Sequence, residues 1–86
     1  MHRSKQEILE NICYTELVYH RINKKLNTKF SKHQIEVFLL QILKVTDENK
    51  FQKKEKNMYV INTENNIRIT INLNTIRVIT VDKITN

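Results

Sequence analysis

The segment NIRITINLNTIRVITVDK, residues 66–83, decides the fold because polar and apolar residues alternate along both of its halves. Alternation with a period of two is typical of β-strands that bury one face and expose the other. In the first half, the apolar positions are Ile67, Ile69, Ile71 and Leu73. The segment therefore predicts a β-hairpin with one apolar and one polar face.

The turn of this hairpin decides which side chains share a face. A two-residue turn at positions 74–75 predicts that Ile71 pairs with Val78 and that Ile69 pairs with Thr80. A three-residue loop would reverse the faces of the last strand, because a slip of one residue exchanges them. The sequence leaves the register of this strand open.

Two arginines fall on the polar side of the hairpin. With the two-residue turn, Arg68 and Arg77 share the face opposite the apolar one. The last strand also carries Ile79 and Val81, which make it apolar on both sides. We therefore expect this strand to be central in the sheet.

Helices are predicted before the sheet. The motifs SKQE and SKHQ, which begin at Ser4 and Ser31, fit capping boxes, and Thr15 is placed to cap a helix in TELVYHRINKKLN. After Ser31 the apolar spacing i, i+3, i+4, i+7, i+8 is the strongest helical signal in the chain. The residues at this spacing are Ile35, Phe38, Leu39, Ile42 and Leu43. The segment FQKKEKNMYVIN then predicts a lysine-rich hairpin that turns at residues 54–57.

This order of elements predicts an α+β fold. N-terminal helices at about residues 4–44 pack on one face of a small antiparallel sheet of three to four strands at about residues 50–84. We expect residues 1–86 to form a single domain. The other face of the sheet would be partly open and would carry the arginines.

The composition excludes several kinds of chemistry. Glycine and proline are absent, and Cys13 is the only cysteine. Phosphate loops built on glycine are therefore excluded, an internal disulfide cannot form, and positive-φ turns must use other residues, of which asparagine is the usual one. No metal-ligand spacing is found, so we expect neither a metal nor a cofactor.

The net charge of +6 favours an anionic partner such as nucleic acid. No apolar run exceeds four residues, which excludes a membrane span, and Glu7 and Glu10 interrupt any signal peptide at the N-terminus. We therefore expect a cytoplasmic protein without membrane contact.

The candidate binding residues are basic. They are Arg21, Lys24 and Lys25 in the second helix, Lys53 and Lys54 in the lysine-rich hairpin, and Arg68 and Arg77 on the sheet. Together with Tyr59, a basic sheet face can bind a phosphate backbone and stack a base. The alternative is that these side chains only solvate the surface, since edge strands use lysine to block aggregation. His20 is an acid–base candidate, against the alternative of a solvated side chain.

Three segments together resemble a known family. CYTELVYHRINKKLN, KNMYVIN and IRITINLNTIRVITVDK are similar, in order and spacing, to a family of small bacterial proteins known only as a domain of unknown function. The similarity extends from about residue 13 to residue 83. Its members often read ITAHK where this chain reads ITVDK, so Asp82 stands where a histidine would be the acid–base group.

The last hairpin is also similar, less closely, to the final strands of the barnase/EndoU/colicin/RelE group of small ribonucleases. This resemblance implies a sheet that binds and cleaves RNA. The residues that it places on the phosphate side are Arg21, Arg68, Arg77, Thr80 and Lys83. Thr80 and Asp82 thereby join His20 as candidate catalytic residues. Because a carboxylate at Asp82 can act as a base but repels phosphate, the resemblance leaves cleavage undecided.

Two functional hypotheses follow. The first is a small basic domain that engages RNA or an RNA–protein complex, either as a toxin-like ribonuclease with an antitoxin partner or as a relative that binds without cleaving. The second is a non-enzymatic inhibitor from a phage or mobile element that binds a host defence nuclease, as anti-CRISPR proteins do. A homodimer remains open under both hypotheses.

Overall fold

The computed structural model describes residues 4–84, which form helices followed by an antiparallel sheet. The predicted α+β class is confirmed, and the sheet has four strands. The helices are α1 (Lys5–Asn11), α2 (Glu16–Leu26) and α3 (Lys32–Val45), followed by a short 3₁₀ helix (Glu48–Lys50). The strands are β1 (Phe51–Lys54), β2 (Asn57–Asn62), β3 (Ile67–Asn72) and β4 (Arg77–Lys83). No helix within residues 4–84 has the length and hydrophobicity needed to cross a bilayer.

The helices begin at the predicted capping residues. These are Ser4, Thr15 and Ser31. At α3 both halves of the capping box form, since the Ser31 hydroxyl accepts from the Gln34 N–H and the Gln34 side chain accepts from the Ser31 N–H. At its other end, α2 stops at Asn27, whose left-handed backbone (φ 56°) breaks the helix. Local sequence signals therefore fix where the helices start and stop.

The hydrophobic core lies between the helices and one face of the sheet. The predicted apolar stripe of α3 supplies Leu39 and Leu43, which are fully buried, and β3 supplies Ile69, which is also fully buried. The other buried apolar side chains are Ile8, Val18, Ile22, Leu26, Ile35, Ile42, Met58, Val60, Ile67, Ile71, Leu73, Ile76, Val78 and Val81. All three helices contribute, so the helices form one layer and the sheet the other.

The strands lie in the order β1-β2-β3-β4, and each neighbouring pair is antiparallel. The predicted pairing of Ile71 with Val78 is confirmed, but the predicted pairing of Ile69 with Thr80 is wrong. Ile79 is an extra residue on β4, so Thr80 pairs with Thr70 and Val81 pairs with Ile69. This bulge directs Val81 into the core in place of the hydroxyl of Thr80. It also exchanges the faces of the residues that follow.

The prediction that the last strand is central is wrong, because β4 is an edge strand and β2 and β3 are central. Its outer edge is covered by the segment between α1 and α2. The Cys13 N–H donates to the Ile76 carbonyl at 3.0 Å, and the Val78 N–H donates to the Cys13 carbonyl at 3.0 Å. Helix α2 packs against the same strand. This cover explains why Ile79 and Val81 are both apolar in an edge strand.

Four residues between positions 4 and 84 adopt positive φ without being glycine. Asparagine, the expected substitute, occupies two of these positions, at Asn27 and Asn66. The other two are Glu55 (φ 57°), in the turn between β1 and β2, and Ile76 (φ 52°), in the turn before β4. A side chain with a Cβ is disfavoured in this region, and a β-branched one especially so. Ile76 is held there by its burial in the core.

Candidate functional site

The face of the sheet that points away from the helices is the open face. Cross-strand partners share a face, so the strand register arranges its side chains in three rows. The first row is Ile61, Arg68 and Asp82, the second is Gln52, Tyr59, Thr70 and Thr80, and the third is Lys54, Asn57, Asn72 and Arg77. Tyr59 therefore lies between two rows that both carry cations.

A shallow depression of about 460 Å³ surrounds Tyr59 on the open face. Its lining residues are Gln52, Lys53, Lys54, Tyr59, Ile61 and Arg68. The guanidinium carbon of Arg68 lies 5.9 Å from the centroid of the Tyr59 ring, which is within the range of a cation–π contact. The depression combines one half-buried aromatic ring with three cationic side chains. It brings together the predicted residues Lys53, Lys54 and Arg68.

Asp82 forms two ion pairs, one with α2 and one with the neighbouring strand β3. One carboxylate oxygen lies 3.0 Å from Lys25 Nζ, and the other lies 3.7 Å from Arg68 Nη2. The Asp82 side chain is 23% exposed, whereas Lys25 and Arg68 are about half exposed. The carboxylate is thus the most covered of the three groups and faces a cation with each oxygen. Its observed role is to neutralise two of the predicted phosphate-binding cations.

The basic side of α2 continues the surface beyond Asp82. His20, Arg21, Lys24 and Lys25 line an open depression of about 630 Å³. Arg21 Nη1 donates to the carbonyl of Ile79 at 3.4 Å, which holds this part of α2 against β4. The predicted cations of the helix and of the sheet therefore meet at the Lys25–Asp82–Arg68 contact. They form one basic surface that is interrupted by one carboxylate.

The three acid–base candidates are not assembled into a catalytic group. His20 is exposed on α2, and Asp82 is held by two cations. The Thr80 hydroxyl is inaccessible to solvent and has no hydrogen-bond partner among the described residues. Within residues 4–84, no hydrogen bond joins the side chains of any two of these candidates. The arrangement can hold an anion, but it does not pair a general acid with a general base.

Two predicted cations, Arg77 and Lys83, line neither the depression around Tyr59 nor the one on α2. Arg77 is on the open face, in the third row. Its β3 partner Asn72 is four positions from Arg68 along the strand, a distance of about 13 Å. Lys83 pairs with the buried Ile67 and therefore stands on the helix side of the sheet. The bulge at Ile79 causes this exchange, since an unbulged strand would place Lys83 on the open face and Asp82 on the helix side.

A tyrosine–carboxylate contact between helices has no counterpart in the sequence prediction. The Tyr19 hydroxyl donates to Glu36 Oε2 at 2.6 Å, and the Tyr19 ring stacks on that of Tyr14 with centroids 5.5 Å apart. Burial, together with the Glu36 hydrogen bond, raises the pKa of Tyr19 to about 12. Burial also raises the pKa of Tyr14. Both phenols are neutral at physiological pH, but only Tyr19 donates, since the buried Tyr14 hydroxyl has no hydrogen-bond partner among the described residues. No local sequence signal links residues on different helices.

Metal binding is not indicated by the described part of the chain. In residues 4–84, no three side chains of histidine, cysteine, aspartate or glutamate are grouped closely enough to hold a metal ion. Cys13 is an exposed free thiol, 3.6 Å from the carbonyl oxygens of Thr75 and Ile76. Its backbone, which covers the edge of β4, has the clearer structural role.

Comparison with known proteins identifies a family. Residues 6–82 match the model of a family described as "Protein of unknown function (DUF3781)". No curated protein and no solved structure matches the chain. The resemblance to a family of unknown function is thereby confirmed, while the similarity to the ribonuclease group stays a prediction. Because the match extends over most of its length, the chain belongs to the DUF3781 family.

Proposed function

We propose that the protein binds single-stranded RNA on the open face of its sheet, with the Tyr59 ring as the stacking platform for a base. The observation that carries this proposal is the position of Tyr59 in an open depression, with the Arg68 guanidinium carbon 5.9 Å from the centroid of its ring. Single-stranded nucleic acids are bound where an aromatic ring accepts a base and nearby cations follow the phosphates. Stacking on such a ring contributes about 1–3 kcal/mol per base.

The cations are placed to contact phosphates on both sides of this platform. Lys54 and Arg77 belong to the row on one side of Tyr59, and Arg68 belongs to the row on the other. Successive rows are two residues apart, or about 7 Å along each strand. The basic side of α2 extends the surface past Arg68. A strand of RNA that crosses the sheet would therefore meet positive charge before and after the stacked base.

The proposed activity is binding without cleavage. Cleavage of RNA by general acid–base catalysis needs two groups within reach of the same phosphate. The candidates for these roles are an exposed His20, a solvent-inaccessible Thr80 hydroxyl and a doubly ion-paired Asp82. This is the arrangement expected of a relative that has kept an RNA-binding sheet and lacks the catalytic pair.

The test is the salt dependence of RNA binding, measured by fluorescence anisotropy with a labelled single-stranded RNA. Removal of one phosphate contact lowers the slope of log K against log salt by about 0.7 for single strands. Arg68→Gln should weaken binding and lower the slope by about this amount. Lys83→Gln is the matched control, because it removes the same charge from the helix side of the sheet. It should leave the slope unchanged.

Two results would refute the proposal. If Arg68→Gln and Lys83→Gln lower the slope equally, RNA affinity depends only on the net charge of the protein and not on the open face. Absence of binding by the parent protein at low salt would remove RNA as the ligand. The second hypothesis, an inhibitor that binds a nuclease, would then be the better account.

A further inference from the structure

A second depression lies at one end of the interface between helices and sheet, on the side away from the open face. Its volume is about 360 Å³, at the lower end of the range for small-molecule sites. On the helix side it is formed by the end of α2, the loop to α3 and the middle of α3. On the sheet side it is formed by the turn between β2 and β3 and by the last residue of β4. Its lining residues are Leu26, Thr28, Phe30, Phe38, Asn65, Asn66, Ile67 and Lys83.

The walls of this depression are held in place by side-chain hydrogen bonds. On the helix side, Asn23 Oδ1 accepts from the Phe30 N–H at 3.0 Å and from the Thr28 hydroxyl at 2.8 Å, while Asn23 Nδ2 donates to the Phe30 carbonyl at 2.9 Å. On the sheet side, Asn62 Oδ1 accepts from the Asn65 N–H at 2.8 Å. Asn62 is itself buried and donates to another buried side chain. The depression is therefore preformed, so little ordering would oppose binding.

The surface inside the depression is largely hydrocarbon. The Phe30 and Phe38 rings are tilted against each other with centroids 5.7 Å apart, and both are only partly buried. Leu26 and Ile67 extend the apolar surface from the core. Aromatic rings bind a flat ring well in tilted or offset geometry. The shape and chemistry of the surface suit a compact aromatic group.

One charge accompanies this apolar surface. Among the described residues that line the depression, Lys83 is the only ionisable one, and it forms no ion pair within residues 4–84. A single ammonium group matches one anionic group on a ligand. A phosphate dianion is better served by several cations or by converging N–H groups. The charge therefore favours a carboxylate over a phosphate.

We infer that this depression binds a small aromatic carboxylate, whose ring packs against Phe30 and Phe38 and whose carboxylate pairs with Lys83. The site is separate from the proposed RNA surface and does not depend on it. It also gives Lys83 a role on the side of the sheet where the bulge at Ile79 places it.

The test uses 2-naphthoate as the probe and amide chemical shifts of the ¹⁵N-labelled protein as the readout. The largest shifts should fall on residues that line the depression. Lys83→Gln should weaken binding about five- to tenfold, as expected for removal of one charge-assisted hydrogen bond. Lys54→Gln, which removes the same charge from the open face, should leave the affinity unchanged. The neutral analogue 2-naphthalenemethanol should bind the parent about as weakly as 2-naphthoate binds Lys83→Gln.

Several outcomes would overturn the inference. Shifts that map to the open face would place the probe elsewhere, and equal binding to the parent and to Lys83→Gln would remove the role of the ammonium group. Tighter binding of uridine monophosphate than of 2-naphthoate would identify a nucleotide, and not an aromatic carboxylate, as the ligand.

The control for folding is the spectrum of Lys83→Gln. If its amide signals keep the dispersion of the parent, the variant is folded. The two proposals fail independently, because RNA binding by Lys83→Gln tests the open face and 2-naphthoate binding by the same variant tests this depression.

Discussion

Replacing Asp82 with asparagine removes the one carboxylate among the strand residues of the open face and leaves the shape of the side chain nearly unchanged. In the parent protein this carboxylate lies 3.0 Å from Lys25 Nζ and 3.7 Å from Arg68 Nη2. If RNA binds the open face, Asp82 competes with phosphate for these two cations. Asp82→Asn should therefore strengthen RNA binding while it slightly weakens the fold.

The magnitudes follow from exposure and from counterion release. Lys25 and Arg68 are about half exposed, so each ion pair contributes at most about 1 kcal/mol to the free energy of unfolding. Arg68 already counts as a phosphate contact in the parent, so the cation that the substitution newly frees is Lys25. If Lys25 reaches a phosphate, the slope of log K against log salt steepens by about 0.7. Over a fourfold reduction in salt, from about 200 to about 50 mM, the variant should gain about threefold in affinity relative to the parent.

The assay is fluorescence anisotropy with a labelled single-stranded RNA across that salt range, together with urea denaturation of both proteins. Glu64→Gln is the matched control, because it removes one negative charge from an exposed turn that lines a different depression. Glu64→Gln should raise the affinity for RNA only slightly, and its slope of log K against log salt should equal that of the parent. Weaker binding by Asp82→Asn, with an unchanged or shallower slope, would refute the reasoning. Asp82 would then position Lys25 and Arg68 for the ligand instead of competing with it.

Three further predictions concern stability. Leu39→Ala empties a fully buried position of α3 and should lower the free energy of unfolding in urea by about 2–5 kcal/mol, whereas the exposed Val37→Ala should change it by less than about 0.5 kcal/mol. Glu55 has a positive φ in an exposed turn, and glycine adopts this conformation without strain. Glu55→Gly should therefore raise the free energy of unfolding by up to about 1 kcal/mol in thermal denaturation. A decrease would show that the Glu55 backbone is unstrained. Burial and the Glu36 hydrogen bond raise the pKa of Tyr19 from 10.0 to about 12, so the unfolded chain loses the phenol proton first and stability falls as pH rises through this interval. Tyr19→Phe should make that fall shallower, and an identical pH profile would contradict the assignment.

The helices could be predicted from the sequence because their signals are local. The caps at Thr15 and Ser31 and the apolar spacing of α3 act within one or two helical turns. The position of β4 could not be predicted in the same way. An apolar residue on both sides of a strand is typical of a central strand, and here it results from the backbone of Cys13 and the packing of α2 over a sheet edge. The covering of a sheet edge is a tertiary contact, and it leaves no periodic pattern in the sequence.

The types of site residue could be predicted, but their grouping could not. Whether Asp82 or Lys83 reaches the open face depends on the bulge at Ile79, which follows from the competition between Thr80 and Val81 for a core position. The alternation of polar and apolar residues does not reveal this bulge, although one extra residue moves every later side chain of the strand to the opposite face. The contact of Lys25 with Asp82 likewise depends on the docking of α2 against β4. Composition indicated a basic surface, and only the fold shows where it is interrupted.

The central claim is that Tyr59 is a stacking platform for RNA, and the affinity of Tyr59→Leu for single-stranded RNA tests it most directly. Leucine keeps an apolar side chain at this half-buried position but removes the aromatic ring. We predict that binding weakens by about 1–3 kcal/mol with the salt slope unchanged, because the stacking is removed while the phosphates stay bound to the same cations. An affinity equal to that of the parent would contradict the claim.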